Sequence, residues 1–297
     1  MQTKPGKIKQ AHTLLFITTL LFAGTVSMRT PGTASAKTTG AVSMKTPRIA
    51  PAQPPHYFLI AHRGGVVDST NAENSLPALE GAIKRGYQMV EMDMRLTKDS
   101  FLIINHDRNF KRYYGLDSAV SDMDWDRIKR LRSSKGNAVM SLEQEFERCR
   151  RGHMQVMLDT KFENYDTIVF ARVVTLLKKY GLQEQALMIG SDSSTGYFTG
   201  KVRLSCTRKQ LEENSHRADY NSRFYYLFGG TNTMTEEDVQ WANSKGIMVV
   251  GAVNIFTYRK RPGYLTEGAK DIATLKSWGV TRFQIDSDFD GAFFARN

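Results

Sequence analysis

A helix, a glycine and a short β-rich run follow one another five times along this sequence, and this order constrains the fold more than any other feature. Each glycine ends an apolar-periodic stretch, where its ready access to the left-handed conformation commonly terminates a helix. The glycines are Gly86, Gly152, Gly181, Gly246 and Gly279, and the β-rich runs after them span 88–94, 154–158, 186–189, 247–253 and 282–285. Helix followed by strand, repeated in this way, is typical of βα units around a parallel sheet.

Three further β-rich runs, at 57–61, 202–206 and 224–228, bring the candidate strands to eight. Eight parallel strands can close on themselves, so we predict an α/β fold of the (β/α)8 TIM-barrel type. Two helix starts have the spacing of a capping box, namely Ser141 with Gln144 and Thr235 with Asp238.

The run 101–105 lies too close to the strand at 88–94 for a helical crossover, because parallel neighbours need a dozen or more linking residues. We therefore predict a hairpin excursion after the second strand, with a turn at 98–100 that returns His106 to the mouth of the barrel. The segments 107–135 and 207–223 show little repetition and are predicted to be loops or a small cap.

The amino-terminal residues have the pattern of an export signal. A basic start and an apolar run from Leu14 to Phe22 precede the small residues 34–36, as in a secretory signal peptide. We predict a signal peptide at 1–36, a flexible linker rich in Thr, Ser, Ala and Pro at 37–55, and the barrel domain at 56–297. The expected localisation is periplasmic or secreted, with an uncleaved membrane anchor as the alternative.

The basic charge does not indicate a nucleic-acid partner. The formal net charge is +11, but residues 1–55 hold seven Lys and Arg and no acid, which leaves +4 for the rest. Export would permit a disulfide between Cys149 and Cys206, although a buried free thiol is the simpler interpretation of each.

Reactive side chains stand where the predicted strands end. His62 and Arg63 follow the first strand, at the end of a barrel where such enzymes place their active sites. Arginine offers a planar fork to phosphate oxygens, and histidine transfers protons near neutral pH. Gly64 and Gly65 would let the backbone pass close to a ligand. A pair of surface residues is the simpler alternative.

Carboxylates occupy two further strands. Glu91 and Asp93 stand two apart in an apolar run, so both face one side of the strand, where oxygen donors suit Mg²⁺ or Ca²⁺. The alternative is a solvent-facing strand edge. His106 ends the returning strand, and Asp159 with Lys161 ends another. This last pair could complete a metal site and neutralise a phosphate, or form a simple salt bridge.

These clusters, in this order, resemble the glycerophosphodiester phosphodiesterase family, within the phosphatidylinositol phospholipase C-like superfamily. The resemblance covers residues 58–288 and rests on HRG at 62–64, ENS at 73–75, ExD at 91–93, LTKD at 96–99, HD at 106–107 and an acid–x–Lys motif at 159–161. The family commonly has Glu where Asp159 stands, and this shorter acid also occurs in related sphingomyelinase D type phospholipases.

The resemblance implies roles for the site residues. Three acids, Glu91, Asp93 and Asp159, would hold one divalent cation, Mg²⁺ or Ca²⁺. His62 and His106 would act as general acid and base, while substrate would be bound by Arg63, Lys161 and, in a contacting or supporting role, Glu73.

The activity that the resemblance implies is metal-dependent hydrolysis of a small-molecule glycerophosphodiester to glycerol 3-phosphate and an alcohol. Two alternatives are a phospholipase D-like or cyclising lyase activity on intact phospholipids, with transient contact to a membrane surface, and a non-catalytic binding protein on the same barrel. The head group and the oligomeric state stay open.

Overall fold

The computed structural model describes residues 56–161, 166–191 and 194–294, so the predicted signal peptide and linker lie outside the described part. The described strands are β1 (Phe58–Ala61), β2 (Met89–Leu96), β3 (Leu102–Ile104), β4 (Asn109–Phe110), β5 (Leu116–Ala119), β6 (Gln155–Thr160), β7 (Leu187–Ile189), β8 (Arg203–Cys206), β9 (Tyr225–Gly229), β10 (Met248–Val253) and β11 (Arg282–Ile285). The described α-helices are α1 (Leu76–Arg85), α2 (Lys111–Tyr114), α3 (Trp125–Ile128), α4 (Leu142–Arg151), α5 (Thr167–Lys179), α6 (Thr195–Phe198), α7 (Arg208–Ser215), α8 (Glu236–Ser244) and α9 (Tyr264–Ser277).

Eight parallel strands form a closed barrel, which confirms the predicted TIM-barrel fold. The hydrogen-bonded order is β1-β11-β10-β9-β8-β7-β6-β2, and β1 also pairs with β2 through Ile60 and Met89, which closes the ring. Alternate residues face opposite sides of each strand. A small apolar cluster that includes Ile60, Met157 and Tyr226 fills the barrel interior, and a larger one joins the outer strand faces to the helices.

The excursion after the second strand is also confirmed. β3 runs antiparallel to β2, with Met94 opposite Ile104, and returns the chain towards the mouth. The segment 107–135 then folds into α2, α3 and the β4–β5 hairpin around its own apolar cluster, which includes Phe110, Val120 and Ile128. This segment is therefore the small cap that the sequence predicted.

The segment 207–223 is not a loop, so that prediction was wrong. It contains α7, whose amino terminus is a capping box of Thr207 and Gln210. Leu211 is the buried residue of this helix, so the apolar periodicity that reveals a helix is almost missing there. Both capping boxes predicted from the sequence are present, at Ser141 with Gln144 and at Thr235 with Asp238.

Four of the five helix-ending glycines have the left-handed backbone expected of them, but Gly152 does not. Its φ is −88°, and the following residue, His153, has a φ of +54° instead. A Cβ atom at Gly152 would lie 2.7 Å from Cδ1 of Ile83 on α1. The glycine therefore lies at a close approach of two helices and not in a left-handed turn, and a larger residue would require the Ile83 side chain to shift.

The backbone after β1 makes a sharp turn that sets the position of the first site residues. Arg63, Gly64 and Gly65 have φ values of +53°, +81° and +135°. A Cβ at Gly64 would lie 2.5 Å from Cα of Asn74, and one at Gly65 would lie 2.1 Å from the carbonyl oxygen of Ala78. The close approach is thus to the protein's own chain, which corrects the expectation that these glycines make room for a ligand.

Cys149 and Cys206 are both buried and both free thiols. In the described ranges, no helix combines the length and the apolar character that crossing a membrane requires.

Substitution of Gly64 should separate backbone strain from steric exclusion, because Gly136 has nearly the same φ (+79°) but no atom within 4 Å of the place that a Cβ would take. We expect Gly136→Ala to lower the free energy of unfolding by about 1 kcal/mol, the cost of a left-handed non-glycine residue. Gly64→Ala should lower it by about 3 kcal/mol or more, since Asn74 must also move. Urea titration of both variants measures the difference, and equal losses would contradict the packing argument.

Candidate active site

His62 directly follows β1, and a carboxylate from a neighbouring strand fixes its ring. The Nδ1 atom lies 2.8 Å from Oδ1 of Asp286, the residue after β11. The two meet because β1 and β11 pair in register, with Ala61 opposite Ile285. Burial acts to raise the pKa of Asp286, but the hydrogen bond and charge of His62 outweigh it, so the pKa is lowered. An anionic carboxylate therefore orients the imidazole.

Three carboxylates meet beside this histidine. Glu91 and Asp93 lie on β2, and the register of β2 with β6 places Asp159 opposite Asp93. Each offers an oxygen within 4.8 Å of the others, and Nε2 of His62 lies 3.9 Å from Oε2 of Glu91. Burial, and then the charges of Asp93 and Asp159, raise the pKa of Glu91 well above its usual value. So much buried negative charge is costly unless a cation lies close by.

Lys161 supplies one positive charge. Its Nζ lies 2.5 Å from Oδ2 of Asp159 and 3.4 Å from Oδ1 of Asp93. Burial acts to lower the pKa of Lys161, but these carboxylates outweigh that effect and the pKa is raised. The side chain is therefore an ammonium at the edge of the acidic cluster.

Neutral donors hold the other carboxylate oxygens in place. The backbone N–H of Arg63 donates to Oε2 of Glu91 at 2.8 Å, and Nδ2 of Asn74 donates to Oδ2 of Asp93 at 2.9 Å. Both donors come from the turn and loop that follow β1. The unusual backbone at 63–65 thus fixes the orientation of two acids on the next strand.

His106 reaches the same place from the excursion. Its Nε2 lies 3.1 Å from Nη2 of Arg63, and its Nδ1 lies 2.8 Å from Oδ1 of Asp107. A guanidinium only donates hydrogen bonds, so this arrangement assigns the acceptor role to Nε2 and the proton to Nδ1. Arg95 donates from Nη2 to the carbonyl oxygen of His106 at 2.6 Å, which anchors the backbone.

Glu73 holds the cationic side chains of the site. Its buried carboxylate accepts from Nη1 of Arg63 at 3.1 Å, from the guanidinium of Arg112, and from the hydroxyl of Tyr113 at 3.2 Å. Arg112 also pairs with Asp107 through Nε at 2.7 Å. Burial, and then the charge of Glu73, raise the pKa of Tyr113 to about 12. Glu73 thus contacts two arginines and a tyrosine of the site, and its expected role, supporting or substrate-contacting, stays a prediction.

The acidic cluster fits a divalent cation. It offers three carboxylates, which are the hard oxygen donors that Mg²⁺ and Ca²⁺ prefer, at mutual distances that one ion can span. Burial of the cluster, and the mutual repulsion that raises the pKa of Glu91, would be offset by that ion. Glu91, Asp93 and Asp159 are the residues that would hold it.

All eight side chains predicted for the site lie in this one network of contacts, although their catalytic, metal-binding and substrate-binding roles stay predictions. Three participants were not predicted: Asn74, Arg112 and Asp286. Asn74 stands within the ENS motif, which could have pointed to it, and Asp286 follows a predicted strand, where the rule that strand ends carry the chemistry could have found it. Arg112 lies in a segment without a pattern, where the sequence gives no signal.

Comparison with known proteins agrees with this site. The model of the "Glycerophosphoryl diester phosphodiesterase family" matches residues 62–281, which is more than half of the chain. A human lysophospholipase D is 30% identical over 134 residues, a match that covers 41% of this chain and 41% of that protein. The chain thus spans under half the length of this curated relative.

Solved structures share the fold. A glycerophosphoryl diester phosphodiesterase from Parabacteroides distasonis superposes with a TM-score of 0.65 at 19% identity, over 80% of this chain and 86% of that one. A phosphodiesterase from Oleispira antarctica, solved in complex with the product sn-glycerol-3-phosphate, gives a TM-score of 0.60 at 18% identity, over 80% and 94% of the two chains. The family match, together with the residues gathered at the barrel mouth, leads to one conclusion: the chain belongs to the glycerophosphoryl diester phosphodiesterase family.

Proposed function

We propose that this protein hydrolyses glycerophosphodiesters to glycerol 3-phosphate and an alcohol, in a reaction that depends on a divalent cation. The observation that carries the proposal is the contact network that joins two histidines, His62 and His106, to a cluster of three carboxylates at the carboxyl end of one barrel. Membership of the family supports the reaction class, and sn-glycerol-3-phosphate is the product bound by the phosphodiesterase from Oleispira antarctica.

Charge explains the need for this arrangement, since a phosphodiester anion repels its nucleophile. A cation held by the three acids would stabilise negative charge on the non-bridging oxygens. Arg63 and Lys161 would bind the same phosphate from two sides, because both border the acidic cluster. Asn74 and Glu73 keep these groups in place, so the site needs little rearrangement when substrate binds.

The two histidines are suited to opposite proton transfers. His106 has an acceptor at Nε2 in this arrangement, so we assign to it the removal of a proton from the attacking hydroxyl or water. His62 directs Nδ1 to Asp286, which leaves Nε2 facing the acidic cluster. We assign to that nitrogen the donation of a proton to the leaving alkoxide, with Asp286 stabilising the imidazolium.

Removal of either histidine should abolish turnover. We expect His62→Ala and His106→Ala to lower kcat for glycerophosphocholine at least about a hundredfold, the usual share of acid–base catalysis. His216→Ala, at an exposed position, is the matched control and should keep full activity. Choline release is measured with Mg²⁺ or Ca²⁺ and after chelation, which should stop the reaction.

A substrate with an activated leaving group distinguishes the two histidines. The p-nitrophenyl ester of glycerol phosphate needs no proton on its leaving group, so His62→Ala should recover most of its rate while His106→Ala stays slow. Recovery in His106→Ala would reverse the assignment. Full turnover of glycerophosphocholine in both variants would reject acid–base catalysis by this pair, and an inactive wild type would favour a non-catalytic binding protein.

Asp286→Asn should impair catalysis without impairing substrate binding, because Asp286 touches His62 and not the acidic cluster. We expect kcat to fall about ten- to a hundredfold, with KM nearly unchanged. The pH profile of kcat/KM should change shape as well, since the imidazole loses its anionic neighbour. Asp288→Asn, two residues along and exposed, is the control. A variant that keeps the wild-type profile would show that Asp286 serves only structure.

A second activity, on phospholipids with an acyl chain, is favoured by one observation. The large hydrophobic side chains that are exposed in the described part are Leu76, Ile168, Phe256 and Leu265. All four stand at or just before the first turn of a helix that follows a barrel strand, so they lie at the same end of the barrel as the active site. The human relative is named a lysophospholipase D, which agrees with an apolar rim around the mouth.

The apolar rim can be tested with paired substrates. Changing Phe256 and Leu265 together to Ser should slow hydrolysis of lysophosphatidylcholine in vesicles at least about tenfold, since the burial of even one apolar side chain contributes roughly 1.5–3 kcal/mol to partition. Glycerophosphocholine, which has no acyl chain, should be hydrolysed at the wild-type rate. Equal effects on both substrates would count against a lipid-contacting rim.

We also propose that the protein acts after export, in the periplasm or outside the cell. Support comes from the basic start, the apolar run and the small residues at 34–36.

A further inference from the structure

The end of the barrel opposite the active site has a cavity of about 300 Å³ that is lined by three arginines, Arg203, Arg223 and Arg282. Arg203 and Arg282 are the first residues of β8 and β11, whereas the active-site groups follow the last residues of their strands. Successive side chains along β11 point to opposite faces of the strand. Arg282 therefore shares the inner face with Gln284, whereas Phe283 lies on the outer face. The two sites therefore lie at opposite ends of one barrel.

The contacts of these arginines are with neutral groups. Nε of Arg203 donates to the carbonyl oxygen of Arg223 at 2.8 Å, and its Nη1 lies 3.5 Å from the sulfur of Met248. The guanidinium of Arg282 stacks over the ring of Phe58 at 4.5 Å. Among the residues that the structure describes, none of the three arginines forms an ion pair with a carboxylate. The charges that act on the pKa of Arg203 are those of Arg282 and Arg223.

This arrangement is electrostatically unfavourable by itself. Burial, and then the charges of Arg282 and Arg223, lower the pKa of Arg203, and burial lowers the pKa of Arg282. Arginine nevertheless stays protonated in proteins, so the repulsion among the three charges persists. An apolar residue of similar length would fill the same space without that cost. The arginines are better explained by an anion that they bind.

The chemistry of the cavity selects the kind of anion. Guanidinium forks match pairs of phosphate oxygens, and three positive charges suit a dianion. Ser222, Asn243 and Thr281 also line the cavity and add neutral hydrogen-bonding groups. The volume is that of a small ligand site.

We propose that this cavity binds a phosphate-bearing anion, either a soluble phosphate ester or the phosphate of a lipid head group, at a site separate from the active site. The proposal goes beyond the hydrolytic function and does not depend on it. Arg203 and Arg282 form the base of the site, and Arg223, which is exposed, stands at its entrance.

Calorimetric titration of the full chain with inorganic phosphate and with glycerol 3-phosphate tests the proposal. The titrations use the Lys161→Met background, so that phosphate binding at the active site is weakened and turnover is irrelevant to the result. We expect one phosphate site, whose Kd rises at least about tenfold in Arg203→Met and in Arg282→Met, since a charge-assisted hydrogen bond contributes about that much. Arg261→Met, an exposed arginine away from the cavity, should leave the Kd unchanged.

Folding is checked by thermal unfolding without phosphate, where Arg203→Met should match or exceed the starting protein because one uncompensated charge is gone. If that variant fails to fold, Arg223→Met tests the same site at an exposed position and should also weaken phosphate binding. Absence of phosphate binding in the Lys161→Met background, or an equal Kd in the folded cavity variants, would overturn the proposal.

Co-sedimentation with phosphatidylcholine vesicles, with and without phosphatidic acid, distinguishes the two sources of phosphate. Binding to phosphatidic acid vesicles that is lost in Arg203→Met and Arg282→Met supports a lipid head group. Phosphate binding in calorimetry without vesicle binding supports a soluble ester.

Discussion

Repulsion among three closely spaced carboxylates, two of them buried and one half-buried, is the constraint on which the active end of this protein depends. Glu91, Asp93 and Asp159 share one small volume, and burial together with their mutual charge raises the pKa of Glu91. The surroundings are arranged to hold this charge in place. Lys161 lies against Asp93 and Asp159, and the backbone N–H of Arg63 donates to Glu91. A divalent cation would complete this balance.

The same barrel concentrates charge of opposite sign at its two ends. Parallel strands begin at one end and finish at the other, so residues at strand starts and strand ends form two separate rings. The carboxylate cluster and the histidines lie at the carboxyl ends of the strands, whereas Arg203 and Arg282 lie at the amino ends. Apolar side chains such as Tyr226 and Met157 fill the space between the rings. This separation would let one fold hold the proposed cation and anion sites without mutual neutralisation.

The cap links His106 and Arg63 to the rest of the site. Arg112 bridges Glu73 and Asp107, and these acids in turn hold Arg63 and His106. Because the cap packs around its own apolar cluster, it can present Arg112 in a fixed position. The position of His106 thus depends on a segment that contributes no residue to the carboxylate cluster.

The sequence by itself determined the barrel and the excursion, which follow from apolar runs of strand length and glycines after helices. It also predicted eight site residues, most of them polar residues where strands end and Glu73 from a motif of the family, and the structure places all eight in one contact network. Only the tertiary structure decided which residues meet from distant parts of the chain. Asp286 pairs with His62 across 224 residues, Gly152 packs closely against Ile83 of another helix, and the three arginines become neighbours only when the ring closes. A local sequence pattern indicates which secondary structure a segment prefers. A contact between distant residues depends on the register of the sheet and on closure of the barrel, which are properties of the whole fold.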